Sequence, residues 1–278
     1  MIDVNMTPGP FQFTRLQEGQ TLRTPLLMEA LRAKDPGKET WLFVSPHDDD
    51  LAVGAGLWLQ AAVRAGVNVQ VLVVTDGRMG YCSMDQKDRI VEIRKAEAIA
   101  SFQILGIPAS HLHFLNFPDG GLYASQGRRL AATGENAIAG YTGLQNAFTH
   151  HLRHVRPARV LVPTPTDLHP DHQITHNELM ICLFHSAGDI WPELGRPLTE
   201  VPAVYELAIY CDFASPPNLE LRTSQPIFET KLKSIAAYKS QAQIASLVES
   251  QRQAGPVEYL REVNFQFYSP ANHVKRFE

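Results

Sequence analysis

The sequence predicts an α/β fold, a Rossmann-like and largely parallel sheet with helices on both faces, preceded by an N-terminal extension. Three observations predict it. From Trp41 onward, short apolar runs alternate with stretches of helical period, the pattern of strands joined by crossover helices. Runs such as Val69 to Val74 are continuously apolar, as strands covered on both faces require. With 278 residues, 44% of them hydrophobic, the chain is long enough to bury such a core.

Residues 1–40, with Pro8, Gly9 and Pro10, read as an extension packed on the main domain. It carries a short helix from Thr24 and Pro25 to about Lys34, with threonine as cap and proline at the first helical position. Residues 41–278 read as one domain. Trp41 to Val44 is its first strand, Val53 to Ala65 a helix, Val67 to Thr75 a strand and Gln86 to Leu105 a helix. His111 to Phe117 is the next strand, Asn136 to Val155 a helix and Arg159 to Pro163 a strand. The aperiodic stretch from Gly120 to Gly134 is long for a connection and reads equally as a substrate lid or a surface loop. The last third offers a strand from Ala203 to Tyr210, a helix from Lys231 to Ser250 and an aromatic tail from Phe265 to Tyr268.

The formal charge of -4 and the lack of any Lys/Arg-rich run argue against a nucleic-acid partner. Met1 to Asn5 has neither the basic segment nor the apolar stretch of a signal peptide, and no run reaches transmembrane length. The expectation is a soluble cytoplasmic protein acting on a small molecule without a membrane partner, with homo-oligomer formation left open. Cys82, Cys182 and Cys211 are far apart and lack zinc-site spacing, so they read as packed or idle thiols.

Two clusters carry the chemistry. Ser45-Pro46-His47-Asp48-Asp49-Asp50 follows one strand, and His169-Pro170-Asp171-His172 follows another. Imidazole and carboxylate ligands suit zinc and other divalent first-row metals. Carboxylates crowded into one loop also raise one another's pKa unless a cation offsets them. In open α/β sheets ligands bind beyond the carboxyl ends of strands, where both clusters, Asp76 and Asp119 are expected.

The clusters resemble the signature of the PIG-L or LmbE-like metal-dependent N-acetylglucosaminyl deacetylases, roughly A-H-P-D-D-E-x-x-G-x-G followed by H-P-D-H. Asp48 stands where that family has proline and Leu51 where it has glutamate. The resemblance continues through Thr75-Asp76-Gly77, Arg94-Lys95-Ala96-Glu97, Leu105-Gly106, Pro118-Asp119-Gly120 and Lys239-Ser240-Gln241. It implies His47, Asp50 and His172 as metal ligands, Zn2+ or a related divalent ion as cofactor, and Asp49 as general base. Three protein ligands leave a position for water, whose pKa such a metal lowers to about 7. The resemblance further implies that His169 stabilises the oxyanion, that Asp171 orients it and favours its charged form, that Arg94 contacts substrate, and that Asp119 stands at the site edge. Arg78 is a candidate for an anionic substrate group by its place in the Asp76 to Gly80 loop alone.

Simpler readings compete. Asp48 rivals Asp49 on composition, His169 is equally a helix cap before Pro170, Arg94 and Glu97 equally a helix-surface pair, and Pro-Asp-Gly equally a turn. His176, four residues after His172, is a rival ligand that the family pattern does not use. His111 and His113 on a strand, and His150, His151 and His154 on a helix, are discounted. The activity implied is removal of an N-acetyl group from an amino sugar or related small amide, hydrolysing a linear amide C–N bond. The alternatives are hydration of a small unsaturated carboxylic acid on the same scaffold, and a non-catalytic metal-binding or ligand-binding module.

Overall fold

A computed structural model describes residues 9–17, 19–265 and 268–277. In chain order these form β1 (Phe11–Gln17), β2 (Gln20–Thr24), α1 (Leu27–Leu31), β3 (Thr40–Ser45), α2 (Asp50–Gly54), α3 (Gly56–Arg64), β4 (Asn68–Thr75) and α4 (Ile90–Ile104). There follow β5 (Leu112–Phe117), β6 (Arg129–Leu130), β7 (Tyr141–Thr142), α5 (Leu144–Val155), β8 (Arg159–Pro163) and α6 (Pro170–Ala187). The rest is β9 (Ala203–Leu207), β10 (Leu219–Thr223), α7 (Gln225–Ile235), α8 (Ile244–Ala254), β11 (Val257–Val263) and α9 (Val274–Phe277).

The main sheet runs β2-β1-β10-β11-β9-β8-β3-β4-β5. From β9 to β5 all neighbours are parallel, and from β9 back through β11, β10, β1 and β2 they are antiparallel. In β3, Trp41 and Phe43 join the core under one face, with Trp58, Phe102 and Phe228, while Leu42 and Val44 join the core under the other, with Phe148, Leu152 and Leu183. This double burial explains why the parallel strands read as unbroken apolar runs. The antiparallel strands alternate instead. Phe11 and Phe13 of β1 and Leu219 and Leu221 of β10 are buried, with exposed or half-buried polar residues between them.

The first forty residues, expected as an extension on the domain, place β1 and β2 within the sheet at its edge. Other boundaries also differ. The helix expected over Val53 to Ala65 is two helices parted at Ala55 (φ −142°). A Cβ on Gly54 would lie 2.8 Å from Leu207 Cδ1 and 2.9 Å from the Ala208 carbonyl oxygen, so only glycine lets α2 reach the end of β9. The helix expected from Asn136 starts at Leu144, because residues before it close the β6–β7 hairpin, and Gly143 (φ +105°) precedes the helix. The helix expected over Lys231 to Ser250 is α7 and α8, with Tyr238 and Gln241 turned inward between them. The expected aromatic tail lies partly outside the described residues, as do Met1 to Asn5 and Pro8.

Strands β3, β4 and β5 step one way across the parallel half, and β8 and β9 lie on the other side of β3. The chain therefore reverses between β3 and β8. The crevice above that reversal is where an open α/β sheet accepts ligands, and both histidine clusters emerge there.

Four of the discounted histidines, His113, His150, His151 and His154, form a packed group between α5 and β5. His151 lies 5.5 Å from His113 and 5.4 Å from His150 between ring centroids. Burial, then the neighbouring His150 and His113, push its pKa down to about 4. A depressed pKa keeps this imidazole neutral in the fold, so acid protonates the unfolded chain first. Stability is thus present above about pH 6.5 and lost as pH falls toward 4. In urea melts at pH 7 and pH 4.5, His151→Gln is expected to lose less stability between the two than the parent; an equal loss excludes this histidine as a source of acid lability.

Candidate metal centre

The loop after β3 is pinned from beneath, since the Thr75 backbone N–H and Oγ1 donate to the Pro46 carbonyl at 3.0 and 2.9 Å. Ser45 Oγ donates to the His47 carbonyl at 2.5 Å, and the His47 N–H donates to Asp50 Oδ2 at 2.7 Å. The second cluster opens α6. His169 is its N-cap, Nδ1 accepting from the Asp171 N–H at 3.3 Å, and Pro170 takes the first position, where no N–H is needed.

His47, Asp50 and His172, at 7%, 1% and 0% exposure, bring three donor atoms into a near-equilateral triangle. His47 Nδ1 is 3.1 Å from His172 Nε2 and 3.3 Å from Asp50 Oδ2, and His172 Nε2 is 3.1 Å from Asp50 Oδ2. Bonds of about 2.0–2.1 Å in a tetrahedral zinc site set ligand atoms about 3.3–3.4 Å apart. Asp50 Oδ1 is buried without a hydrogen-bond partner. The residues present therefore fit a divalent cation. Ring nitrogens of His47, His169 and His172, and donor atoms of His47, Asp119 and Asp171, also gather within 4.8 Å.

The outer ring nitrogens face carboxylates. His47 Nε2 lies 3.1 Å from Asp119 Oδ1 and 3.5 Å from Asp171 Oδ2, and His172 Nδ1 lies 3.2 Å from Asp167 Oδ2. Neither nitrogen is aligned for a full hydrogen bond. A carboxylate behind each imidazole favours the tautomer whose lone pair points inward, the usual support of a metal-binding histidine. Burial works against ionisation of Asp119 and Asp171, but His47 and backbone N–H groups of Met79, Gly120 and Leu122 outweigh it and hold both below the usual carboxylate range. Burial also opposes ionisation of Asp50, yet the facing His172 and His47 hold it far below that range.

The expected residues do gather here, with partners that differ from expectation. Asp171, expected to orient His169, turns its carboxylate to His47 and the Gly120 N–H at 2.7 Å. Its link to His169 is its own backbone N–H. His169 is half-buried, and burial, then His47 and His172, hold its pKa below the ordinary value, while its Nδ1 accepts the Asp171 N–H. Asp119, expected at the substrate edge, supports His47. Arg78 is exposed, its guanidinium forked on Asp76 with Nε donating at 2.7 Å. His176 is no rival ligand, because its Nε2 faces Glu206 Oε1 at 3.2 Å, away from the triangle.

Arg94 is neither exposed helix surface nor open to substrate. At 4% exposure it donates to Asp48 Oδ1 through Nε at 3.0 Å and Nη2 at 2.5 Å, and stands 3.2 Å from Asp49 Oδ2. The aspartate in the proline position thus has a buried cation of its own. Tyr238 lies 5.4 Å below the guanidinium and donates from its hydroxyl to the Asp48 carbonyl at 2.5 Å. Glu97, which the rival reading paired with Arg94 on the helix surface, accepts instead from the Ser240 N–H and Oγ at 2.8 and 2.7 Å. Arg94→Ala should therefore lower kcat and stability, leaving Asp48 buried and unpaired, a loss typically of about 3–5 kcal/mol. Urea unfolding checks this, with Asp48→Asn in the same background restoring part; an unchanged midpoint would return Arg94 to the substrate side.

Asp167 and Tyr210 were missed by sequence reasoning. Asp167, wholly buried, accepts from the His169 and Tyr210 N–H groups at 3.1 and 3.2 Å while facing His172. It had the signal used for Asp76 and Asp119, a carboxylate just past a strand end. The Tyr210 ring stacks on His172, centroids 5.2 Å apart, with no motif to announce it.

Residues 42–183, just over half the chain, match the family described as PIG-L: GlcNAc-PI de-N-acetylase. The 1D-myo-inositol 2-acetamido-2-deoxy-alpha-D-glucopyranoside deacetylase of Kineococcus radiotolerans is 29% identical over 185 residues, 60% of this chain and 51% of that protein. The diacetylchitobiose deacetylase of Thermococcus kodakarensis is 30% identical over 137 residues, 48% of this chain and 44% of that one. The matches span about half the length of these relatives. In fold, the conserved protein TT1542 from Thermus thermophilus superposes with a TM-score of 0.64 over 84% of this chain and 98% of its own, at 23% identity. Because the matched stretch carries the donor triangle and both histidine clusters on this sheet, the chain belongs to the PIG-L (GlcNAc-PI de-N-acetylase) family.

Proposed function

We propose that this chain is a divalent-metal-dependent hydrolase, with zinc as its cation, that removes an acetyl group from an N-acetylated amino sugar or a related small amide. The observation that carries this reading is the triangle of His47 Nδ1, Asp50 Oδ2 and His172 Nε2 beside a carboxylate, Asp49, left outside it. A cation held there would polarise the acyl carbonyl and make a water more acidic.

The protein's own groups supply the rest. Asp49 keeps 20% of its side chain exposed, while Asp48 and Asp50 beside it are enclosed. Arg94 holds it from behind, which leaves an oxygen free to take a proton from the attacking water and return it to nitrogen as the C–N bond breaks. Water adds to the carbonyl carbon, and the products are acetate and the free amine. His169, with Nδ1 occupied by the Asp171 N–H, carries its proton on Nε2 and offers a neutral donor to the developing oxyanion. Arg78, exposed and anchored by Asp76, is the recognition residue for an anionic substituent.

The test is a panel of N-acetyl amino sugars, other acetylated amines and unsaturated carboxylates, run on protein loaded with zinc, iron, cobalt or nickel. Amine release from the sugars is expected. Loss of alkene absorbance without amine release would establish the hydratase, and cation binding with neither reaction a binding module. His169→Ala should keep the cation and lower kcat about a hundred to a thousandfold, with KM little changed. Full kcat in that variant would leave His169 a helix cap.

A further inference from the structure

On the edge of the sheet opposite the metal centre, Thr40, Arg159 and Ala203 are the first residues of β3, β8 and β9 and line a cavity of about 460 Å³. β3 alone, six residues long, sets about 20 Å between that cavity and the metal centre beyond its other end. A molecule held here is not the one that reacts. Apart from residues 156–159, the lining comes from segments before and after residues 42–183, outside the stretch that matches the family.

The walls are cationic in a chain whose formal charge is -4. Two of the cations are already neutralised: Lys38 Nζ meets Asp35 Oδ2 at 2.9 Å, and buried Arg159 pairs with Glu39 while donating to the Leu31 carbonyl at 3.1 Å. Arg32, Lys34 and Arg156 are not. Among the described residues no carboxylate pairs with any of the three, and Arg156 Nη1 reaches only the Arg196 and Pro197 carbonyls, at 3.2 and 3.3 Å. Glu200 is the one carboxylate of the walls without a cation, so two positive charges stand in excess.

Arg32 and Arg156 also sit where arginine is a costly choice. Each follows the last residue of a helix, α1 or α5, in the left-handed region at φ +53° and φ +50°, where glycine is usual because a Cβ crowds the carbonyl. Only five described residues other than glycine have a positive φ, and two of them line this cavity. Offsetting the helix dipole accounts for Arg156 at the end of the twelve-residue α5, but α1 has five residues and little dipole to offset. Arg32 is left without an internal task.

We propose that this cavity is a second binding site, for a small organic phosphate monoester, with Arg32, Lys34 and Arg156 holding the phosphate. The charge matches, since such a group carries about two negative charges at neutral pH and the walls hold two positive charges in excess. Guanidinium forks suit phosphate oxygens, and the lysine adds a point charge. An adjoining cavity of about 630 Å³ shares Arg32, Val201, Pro202 and Ala203 with the first and gives the organic part room. The site is independent of the deacetylase reading.

The test is calorimetry on the full, zinc-loaded chain with glycerol 3-phosphate, a dianion, and dimethyl phosphate, a monoanion. The monoester is expected to bind once per chain and about tenfold tighter than the diester. Arg32→Gly and Lys34→Gln should each weaken it about tenfold, the usual loss of one hydrogen bond to a charged group. Urea unfolding without ligand separates binding from folding, because Arg32→Gly removes a strained Cβ and should leave the midpoint unchanged or raised. His172→Ala guards against phosphate on the metal, and its affinity for the monoester should equal the parent's. No binding, equal affinity for the two esters, or affinity that survives both Arg32→Gly and Lys34→Gln would overturn the site. A midpoint lowered by Arg32→Gly would make that arginine part of the fold, and affinity lost in His172→Ala would move the phosphate to the metal centre; either result also overturns it.

Discussion

His47→Ala, Asp50→Ala and His172→Ala are each expected to leave purified protein with little of the one divalent cation per chain that the parent should carry. Each change removes one of three donor atoms now 3.1 to 3.3 Å apart and buried. Two remaining ligands cannot hold a catalytic ion that already leaves a coordination position open. Elemental analysis after dialysis reads the result directly, and activity should vanish with the metal. Asp167→Asn separates support from ligation. It leaves the triangle whole but weakens the acceptor behind His172, so the cation should be retained with about ten to a hundredfold lower affinity. Full occupancy in His172→Ala would overturn the assignment, and unchanged affinity in Asp167→Asn would reduce that carboxylate to a loop fastener.

Asp49→Asn is expected to keep the cation and lower kcat about a hundred to ten thousandfold, the usual contribution of a positioned acid–base group. The amide preserves the shape and still meets Arg94, but accepts no proton from water. Asp48→Asn is the control, since Asp48 is engaged with Arg94 at 2.5 Å and its side chain is 5% exposed. It should reduce stability more than turnover number. If Asp48→Asn were dead and Asp49→Asn active, the base would sit one residue earlier.

The parallel half and the two histidine clusters were legible because their signals are local. Strands buried on both faces read as continuous valine and leucine runs, and ligands beyond their ends fall into short motifs. The antiparallel half was less legible because each of its strands is buried on one face. Its alternating pattern in Phe11–Gln17, Leu219–Thr223 and Val257–Val263 is short and crowded with charge. Nothing local in Glu258 announces that its carboxylate accepts from the Leu57 and Trp58 N–H groups at the start of α3. In the site, residue types were legible but pairings were not. The motif places Asp171 two residues from His169, yet helix geometry sends its carboxylate toward His47. The arginine at position 94 matched a substrate contact, but the aspartate at position 48, where the family has proline, gives that guanidinium an internal partner.

The donor triangle joins distant parts of the chain, for His47 and His172 are 125 residues apart in sequence. A polypeptide synthesised or cut off before α6 holds only two of the three donors, however well β3 and β4 have paired. Cation uptake therefore reports that β8 has docked beside β3 and that the crossover between them is complete. It also makes the ion a clasp. Because it binds the folded chain and not the open one, every tenfold excess over its dissociation constant adds about 1.4 kcal/mol to folding stability. Chelation should release the seam between β3 and β8 first, exposing its amides to solvent exchange while the antiparallel strands stay protected.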